Sequence, residues 1–198
     1  AACVSLHGAN RLGSNSTGEC LVFGGITGAE AGRYCNETKQ AAPVPEAQVN
    51  AEHKRLFRDL LSQNGSENLY EIRRELRTCM DMHVGVFRTG PELSKGLDII
   101  HSLRKRFANI RIDDKSSIYN TNLYHALETA NLLDLAEVMV TGALTRTESR
   151  GGHARRDFPN RDDANWLKHT LAFFTEQGLK LDYKPVTITN WQPVERKY

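Results

Sequence analysis

Apolar residues recur every three or four positions through the middle of the chain, the period of helices with one buried face. After the break at Pro43, Val44 and Pro45, the residues Val49, Leu56, Phe57, Leu60 and Leu61 share one face. Asn64 and Gly65, both tolerant of a left-handed C-cap, are expected to end that helix. Asn68 opens the next with Glu71 three positions on, a variant capping box, and Leu69, Ile72, Leu76, Cys79, Met80 and His83 run down one side. Thr89 is the expected N-cap of a third, with Pro91 in the first turn and Glu92 at the boxed position. Its buried stripe is Leu93, Leu97, Ile100, Leu103 and Phe107. The fourth and longest helix covers about 122–147. Its polar positions Glu128, Asn131, Asp134, Glu137, Thr141 and Thr145 form one narrow stripe, so it is expected to pack on most sides at the centre of a bundle. Beyond it, 171–175 and 179–183 read as a short β-hairpin around Glu176, Gln177 and Gly178, followed from Pro185 by an extended tail on a surface. The fold class is mainly α, a bundle of three to four helices.

Composition adds mostly exclusions. The chain has 198 residues, 39% hydrophobic and 25% charged, a globular balance. No apolar run of eighteen residues proposes a membrane span, and a net charge of +2 calls for neither nucleic acid nor an anionic membrane surface. There is no internal repeat and no low-complexity segment. The opening Ala1, Ala2, Cys3, Val4, Ser5 and Leu6 has no methionine and no basic region, so it does not read as a signal peptide. Its strand-like character implies a missing upstream part. Cys3, Cys20, Cys35 and Cys79 show no C-x-x-C spacing; they are expected to be reduced and mostly buried. The histidines His53, His83, His101, His125 and His169 lack metal-ligand spacing, so no metal site is expected.

Candidate chemistry lies at the two ends. The first is His7, Gly8, Ala9, Asn10, Arg11, Leu12, Gly13, Ser14, Asn15 and Ser16, continuing through Thr17, Gly18 and Glu19. A small-residue loop here feeds a helix whose first turn holds Ser16 and Thr17. Its backbone N–H groups and positive terminus suit an anion or an electron-rich ring edge. Arg11 can grip a carboxylate through two parallel hydrogen bonds. The residues alone leave a plainer reading open, a helix cap beside a surface arginine. The second end, 146–163, sets Arg146, Arg150, Arg155, Arg156 and Arg161 among Glu148, Asp157, Asp162 and Asp163. The interleaved acids argue against a nucleic-acid surface, which needs a net basic face. His153 reads as structural, and Trp166 and Trp191 as packing anchors.

The run from His7 to Ser16 resembles the motif of the flavoprotein subunits of succinate dehydrogenase and fumarate reductase. Glu148, Ser149, Arg150, Gly151, Gly152, His153, Ala154 and Arg155, with Asp157, Pro159, Arg161, Asp162, Asp163, Asn165 and Trp166, resemble the family's second signature. Ile72, Arg73, Arg74, Glu75 and Leu76, and Val86, Phe87, Arg88, Thr89 and Gly90, fit between them, so the resemblance covers essentially the whole chain in order. The closest likeness is bacterial, with an ending of Glu195, Arg196, Lys197 and Tyr198 that suits actinobacterial-type sequences.

The resemblance implies an FAD-dependent oxidation of succinate to fumarate, with electrons passing to an iron–sulfur subunit and then, through membrane anchors, to quinone. It assigns Arg11 to a substrate carboxylate, and Asn15, Ser16 and Thr17 to the flavin; Thr17 replaces the usual leucine, which favours a backbone contact there. It assigns no catalytic residue to this chain. The G-x-G-x-x-G dinucleotide motif, the FAD-linking histidine and the capping domain are absent from the sequence. The implied organisation is a remnant of an FAD-binding α/β domain, its last strand–helix piece, over 1–36; a helical bundle over 37–148; and a charged segment, hairpin and tail over 149–198. FAD would be held mainly by the missing part, leaving this piece inactive alone. The implied location is the cytoplasmic face of the bacterial inner membrane. Fumarate reductase is the same chemistry reversed, L-aspartate oxidase a third reading, and a non-catalytic helical module docking the iron–sulfur subunit a fourth.

Overall fold

The computed structural model describes His7 and residues 13–194; the expected strand at 1–6, Cys3 and Arg11 lie outside the described residues. Helices dominate. The first, α1 (Asn15–Thr38), buries none of its residues among those described. A second, α2 (Glu46–His53), runs on into π-helical turns over Lys54–Leu60, closed by the Leu61 N–H donating to the Leu56 carbonyl at 3.0 Å. Of the apolar face proposed there, only Leu60 is buried; Val49 and Phe57 are exposed.

The helix ends before Asn64, and Gly65 is not its left-handed C-cap, for its φ is not positive. The Lys115 ammonium instead satisfies the terminal carbonyls, donating to Leu61 at 2.9 Å and to Gln63 at 2.6 Å. Gly65 is needed for closeness. The segment 63–68 lies against 109–112, with the Gly65 N–H on the Ile110 carbonyl at 3.0 Å, so that a Cβ at Gly65 would sit 1.9 Å from the Asn109 carbonyl oxygen. That segment includes β1 (Glu67–Asn68), parallel to β3 (Ile110–Arg111), each two residues long.

The bundle proper is α3 (Leu69–His83), α4 (Gly90–Phe107) and α5 (Thr121–Thr145). Each begins at a side chain that satisfies backbone donors which would otherwise lack a partner. Asn68 Oδ1 accepts from the N–H groups of Tyr70 and Glu71 at 2.8 and 3.2 Å, Thr89 Oγ1 from Glu92 at 3.4 Å, and Asn120 Oδ1 from Leu123 at 2.7 Å. The Glu71 carboxylate does not complete a capping box: it pairs with Arg74 one turn on. Asn68→Ala is expected to cost about 1 kcal/mol, read as a lower urea midpoint at an unchanged slope.

The core is the convergence of the two expected stripes, Ile72, Leu76 and Cys79, and Leu93, Ile100 and Leu103, with one face of α5, Leu123, Ala126, Leu133, Ala136 and Val140. It is closed at one end by Ile110 and Ile112. The long helix is not packed on most sides. Leu132 and Leu135 are 40% and 59% exposed and Met139 54%, while Asp134 and Glu137, from the polar stripe, pair with Arg104 of α4 at 2.6 and 2.8 Å. A nearly all-apolar sequence conceals which face meets the core, whereas the ion pairs put the polar stripe beside α4.

After α5 the chain forms β4 (Ala154–Arg155), parallel to β2 (Phe87–Arg88) between α3 and α4, then the short α6 (Asp163–Trp166). The expected hairpin is present and longer than its apolar core suggested: β5 (Lys168–Thr175) pairs antiparallel with β6 (Gly178–Pro185), from Lys168 opposite Pro185 to Thr175 opposite Gly178. Gly178 takes φ +105°, open to glycine at no steric cost. The tail is extended to Val194, whose carbonyl accepts from Arg161 at 2.6 Å. Trp191, expected as an anchor, is 87% exposed. No helix among the described residues is long and apolar enough to cross a membrane.

Candidate functional site

Two constellations follow from this architecture. The first is the start of α1, where the resemblance places the flavin contacts. Asn15, Ser16 and Thr17 form its first turn, Asn15 and Thr17 exposed. The preceding Ser14 sits at φ 70° in the left-handed region and gives no side-chain cap, and the first turn holds no acidic residue. A Cβ at Gly13 or Gly18 would meet nothing within 4 Å. Among the described residues, the first turn of this 24-residue helix holds no carboxylate and leaves space beside Gly13 and Gly18, which fits the electron-rich edge of a flavin. His7 is held by a hydrogen bond to Glu19, one turn into the same helix. Cys20 and Cys35 also lie on α1 and are exposed, so of the described thiols only Cys79 is buried as expected, where burial pushes its pKa up. A helix that covers nothing covers no thiol.

The second constellation is the charged stretch after α5, a buried ion network. Glu148 is fully buried and accepts from Arg146 at 2.6 Å, from Arg150 at 2.8 and 3.0 Å, and from the Asp162 N–H at 2.9 Å. Burial alone would raise its pKa, but the hydrogen bonds from Arg150, the Asp162 N–H and Arg146 hold it below the ordinary glutamate range. Arg146 reaches on to the carbonyls of Trp166 and Lys168 and to Thr170, fixing the root of the hairpin.

Arg155 is buried and joins two helix ends. Its guanidinium donates to the carbonyls of Ala143 and Leu144 at 2.8 and 3.0 Å, the C-terminal turn of α5, where a cation is favourable. It also makes a two-pronged bond to Asp157 at 2.8 Å on each side. Asp157 in turn accepts from the Gly90 N–H at 2.8 Å, the N-terminus of α4. The Arg155 bond, with the Gly90 N–H assisting, keeps the Asp157 carboxyl well below the usual range.

His153 is buried beside them, and its tautomer follows from its partners. Arg88 only donates, so Nδ1 accepts its bond at 2.9 Å; Nε2 then carries the proton and donates to the Arg146 carbonyl at 3.2 Å. Burial, with Arg88, Arg155 and Arg146 nearby, lowers its pKa and keeps it neutral. Both nitrogens are engaged, consistent with the structural role read from the sequence. Trp166 anchors as expected, its indole N–H on Thr147 at 3.1 Å. Sequence reasoning did not single out Arg88 or the central place of Glu148. Neither carries a periodic signal, because the partners lie 65 residues away for Arg88 and around a loop for Glu148. Among the described residues no group of three His, Cys, Asp or Glu side chains is arranged to hold a metal.

The fold is a helical bundle that carries a buried arginine–carboxylate network after its longest helix. Residues 73–198 match the family model for the fumarate reductase flavoprotein C-terminus, and the chain belongs to that family of succinate dehydrogenase and fumarate reductase flavoprotein subunits. It is 43% identical over 203 residues to the fumarate reductase flavoprotein subunit of Mycobacterium tuberculosis, matching 100% of this chain and 35% of that protein. It is 43% identical over 190 residues to the succinate dehydrogenase flavoprotein subunit of Rickettsia felis, covering 96% and 32%. A solved FrdA chain of E. coli quinol fumarate reductase superposes with a TM-score of 0.90 at 41% identity, over 98% of this chain and 34% of that one. The chain thus spans about a third of the length of the relatives it matches. The mainly helical bundle with its late hairpin agrees with the fold class expected from sequence.

Proposed function

We propose that this chain is the C-terminal part of an FAD-dependent succinate dehydrogenase flavoprotein subunit, which oxidises succinate to fumarate. The observation that carries the reading is the acid-free first turn of α1, starting four residues after Arg11 in sequence, in a chain of this family. Arg11 grips one substrate carboxylate with its two-pronged guanidinium and so orients the carbons that lose hydrogen. Asn15, Ser16 and Thr17 present the positive helix end to the flavin edge, stabilising negative charge that develops there. A bound flavin would supply the hydride acceptor, and a base would take the substrate's second hydrogen as a proton. In a subunit of the relatives' length, 1–36 closes the FAD-binding domain, 37–148 forms the helical domain, and 149–198 locks the two together and supplies the hairpin and tail. Electrons pass onward to an iron–sulfur subunit and to quinone through membrane anchors, at the cytoplasmic face of the inner membrane. Fumarate reduction is retained as the second reading because relatives of both names match equally well.

The test is succinate–dye reductase activity and the visible spectrum of the subunit reconstituted with the preceding part of such a protein. Arg11→Ala is expected to lower kcat/KM for succinate at least hundredfold while the flavin spectrum is retained. Unchanged turnover in Arg11→Ala would sink the substrate assignment. The ratio of succinate oxidation to fumarate reduction decides between the two directions, and yellow, active protein from the 198-residue chain alone would contradict the division of labour proposed here.

A further inference from the structure

A cleft of about 500 Å³ opens between the C-terminal half of α5, the loop that follows it and the root of the hairpin. One side is apolar, with Val138 and Met139 from α5 and Leu167, Ala172, Leu181 and Val186 from the hairpin side. The other carries Arg88, Arg146, Arg150 and Lys168 with His153 and His169. Among the described residues, no aspartate or glutamate lines it.

The four permanent cations are incompletely neutralised. Glu148 serves Arg146 and Arg150, and Asp163 serves Arg150 again. Among the described residues Arg88 has no carboxylate: its partners are the Val84 and Gly85 carbonyls and neutral His153. Lys168 has none either; its ammonium lies 4.7 Å from the Trp166 ring centroid and 4.3 Å from that of Tyr183, which hold it in place without cancelling its charge. Trp166 is thereby sandwiched, with the Arg146 guanidinium at 4.9 Å from the same ring. A concave site with low-dielectric walls and two uncompensated cations concentrates anions and repels cations. Its apolar side favours a ligand with a hydrocarbon body.

We infer that this cleft is a binding site for an organic anion, with a carboxylate or phosphate head against Arg88 and Lys168 and an aliphatic body against Met139 and Leu181. The inference does not rest on the substrate assignment above: Asn15, Ser16 and Thr17 are not among the described residues that line the cleft, and His7, from the segment before α1, is.

The experiment is NMR titration of the 198-residue chain, observing the Trp166 indole N–H and the Met139 methyl. The probes are hexanoate, hexyl phosphate, inorganic phosphate and neutral hexanol. Hexanoate or hexyl phosphate is expected to shift both signals saturably, with Trp191 unmoved and hexanol at least tenfold weaker. The tighter of the two heads identifies the chemistry. Lys168→Gln, at the root of the hairpin, is expected to weaken binding at least fivefold, whereas Arg88→Lys retains it. Arg11→Ala is expected to leave it unchanged, so failure here and failure of the substrate assignment are separate results. The inference is overturned by the absence of saturable shifts, by equal binding of hexanol, by an unchanged affinity in Lys168→Gln, or by loss of binding in Arg11→Ala.

Discussion

Glu148→Ala is expected to destabilise the chain by about 3–5 kcal/mol, the range for removing one partner from a buried charge cluster. Glu148 has no solvent exposure and binds Arg146 and Arg150 together with the Asp162 N–H. Alanine would leave two guanidinium groups and a backbone donor facing a hole the size of a carboxylate. The damage should spread to the hairpin, because Arg146 also holds the Trp166 and Lys168 carbonyls. Urea unfolding measures the loss, and amide exchange should show β5 and β6 opening before α3 and α4. Acid titration gives an independent check with a defined sign. A carboxyl whose folded pKa is depressed contributes stability above its unfolded value, about 4.3 for glutamate, and loses it as pH falls through the folded value. Glu148 and Asp157 are both depressed, so the native chain should lose stability steeply below about pH 4. Glu148→Ala should be weaker at pH 7 and flatter in that acid range. A variant as stable as the parent at pH 7, with the same acid slope, would show that Glu148 is not the centre of the network.

Gly65→Ala is expected to cost about 3 kcal/mol, the upper part of the usual range for overpacking. A new methyl would stand 1.9 Å from the Asn109 carbonyl oxygen and 2.3 Å from its carbon, both backbone atoms that cannot swing aside. Relief requires separating 63–68 from 109–112, which breaks the Gly65 N–H to Ile110 and Glu67 N–H to Asn109 bonds, both 3.0 Å. That seam carries Ile110 and Ile112, both fully buried, so the loss reaches the core. Gly24→Ala in α1 is the control: its Cβ meets nothing within 4 Å, and replacing a helical glycine there should gain about 0.5–1 kcal/mol. Equal midpoints for Gly65→Ala and the parent chain would refute the steric account.

The three bundle helices were legible because each carries its instructions locally. Asn68 and Thr89 were read as helix starts and are, Asn120 caps α5 two residues before the expected start, and the buried stripes of α3 and α4 follow one period from end to end. The hairpin was legible from a glycine at a turn between two alternating runs, though the pairing extends three residues before the apolar run, to Lys168. Local pattern misled where a residue answers to something distant. Gly65 looks like a helix stop, but it is a glycine because Asn109 passes over it. The apolar breadth of α5 suggested burial all round, yet its Leu135 and Met139 face outward among the described residues. The parallel pairs β1–β3 and β2–β4 are two residues long, too short for any alternation to announce them. At the candidate site, the first turn of α1, to which the resemblance assigns the flavin contacts, was legible as a helix start through the motif at 7–16. The network was legible only as a charge-dense run, since charge density does not say which arginine meets which acid.

Sequence alone determined the stripes of α3 and α4, their N-caps, the hairpin and the family, because each is written in spacings of a few residues or in an unbroken motif. Tertiary structure alone decided that Glu148 lies at the centre of three partners, that Asp157 and Arg155 bridge the start of α4 to the end of α5, and that Arg88, without a carboxylate among the described residues, stands at the edge of a cleft. The physical reason is range. Backbone periodicity and capping act within one or two helical turns, whereas a buried charge is stable only when groups far apart in the chain arrive to satisfy it.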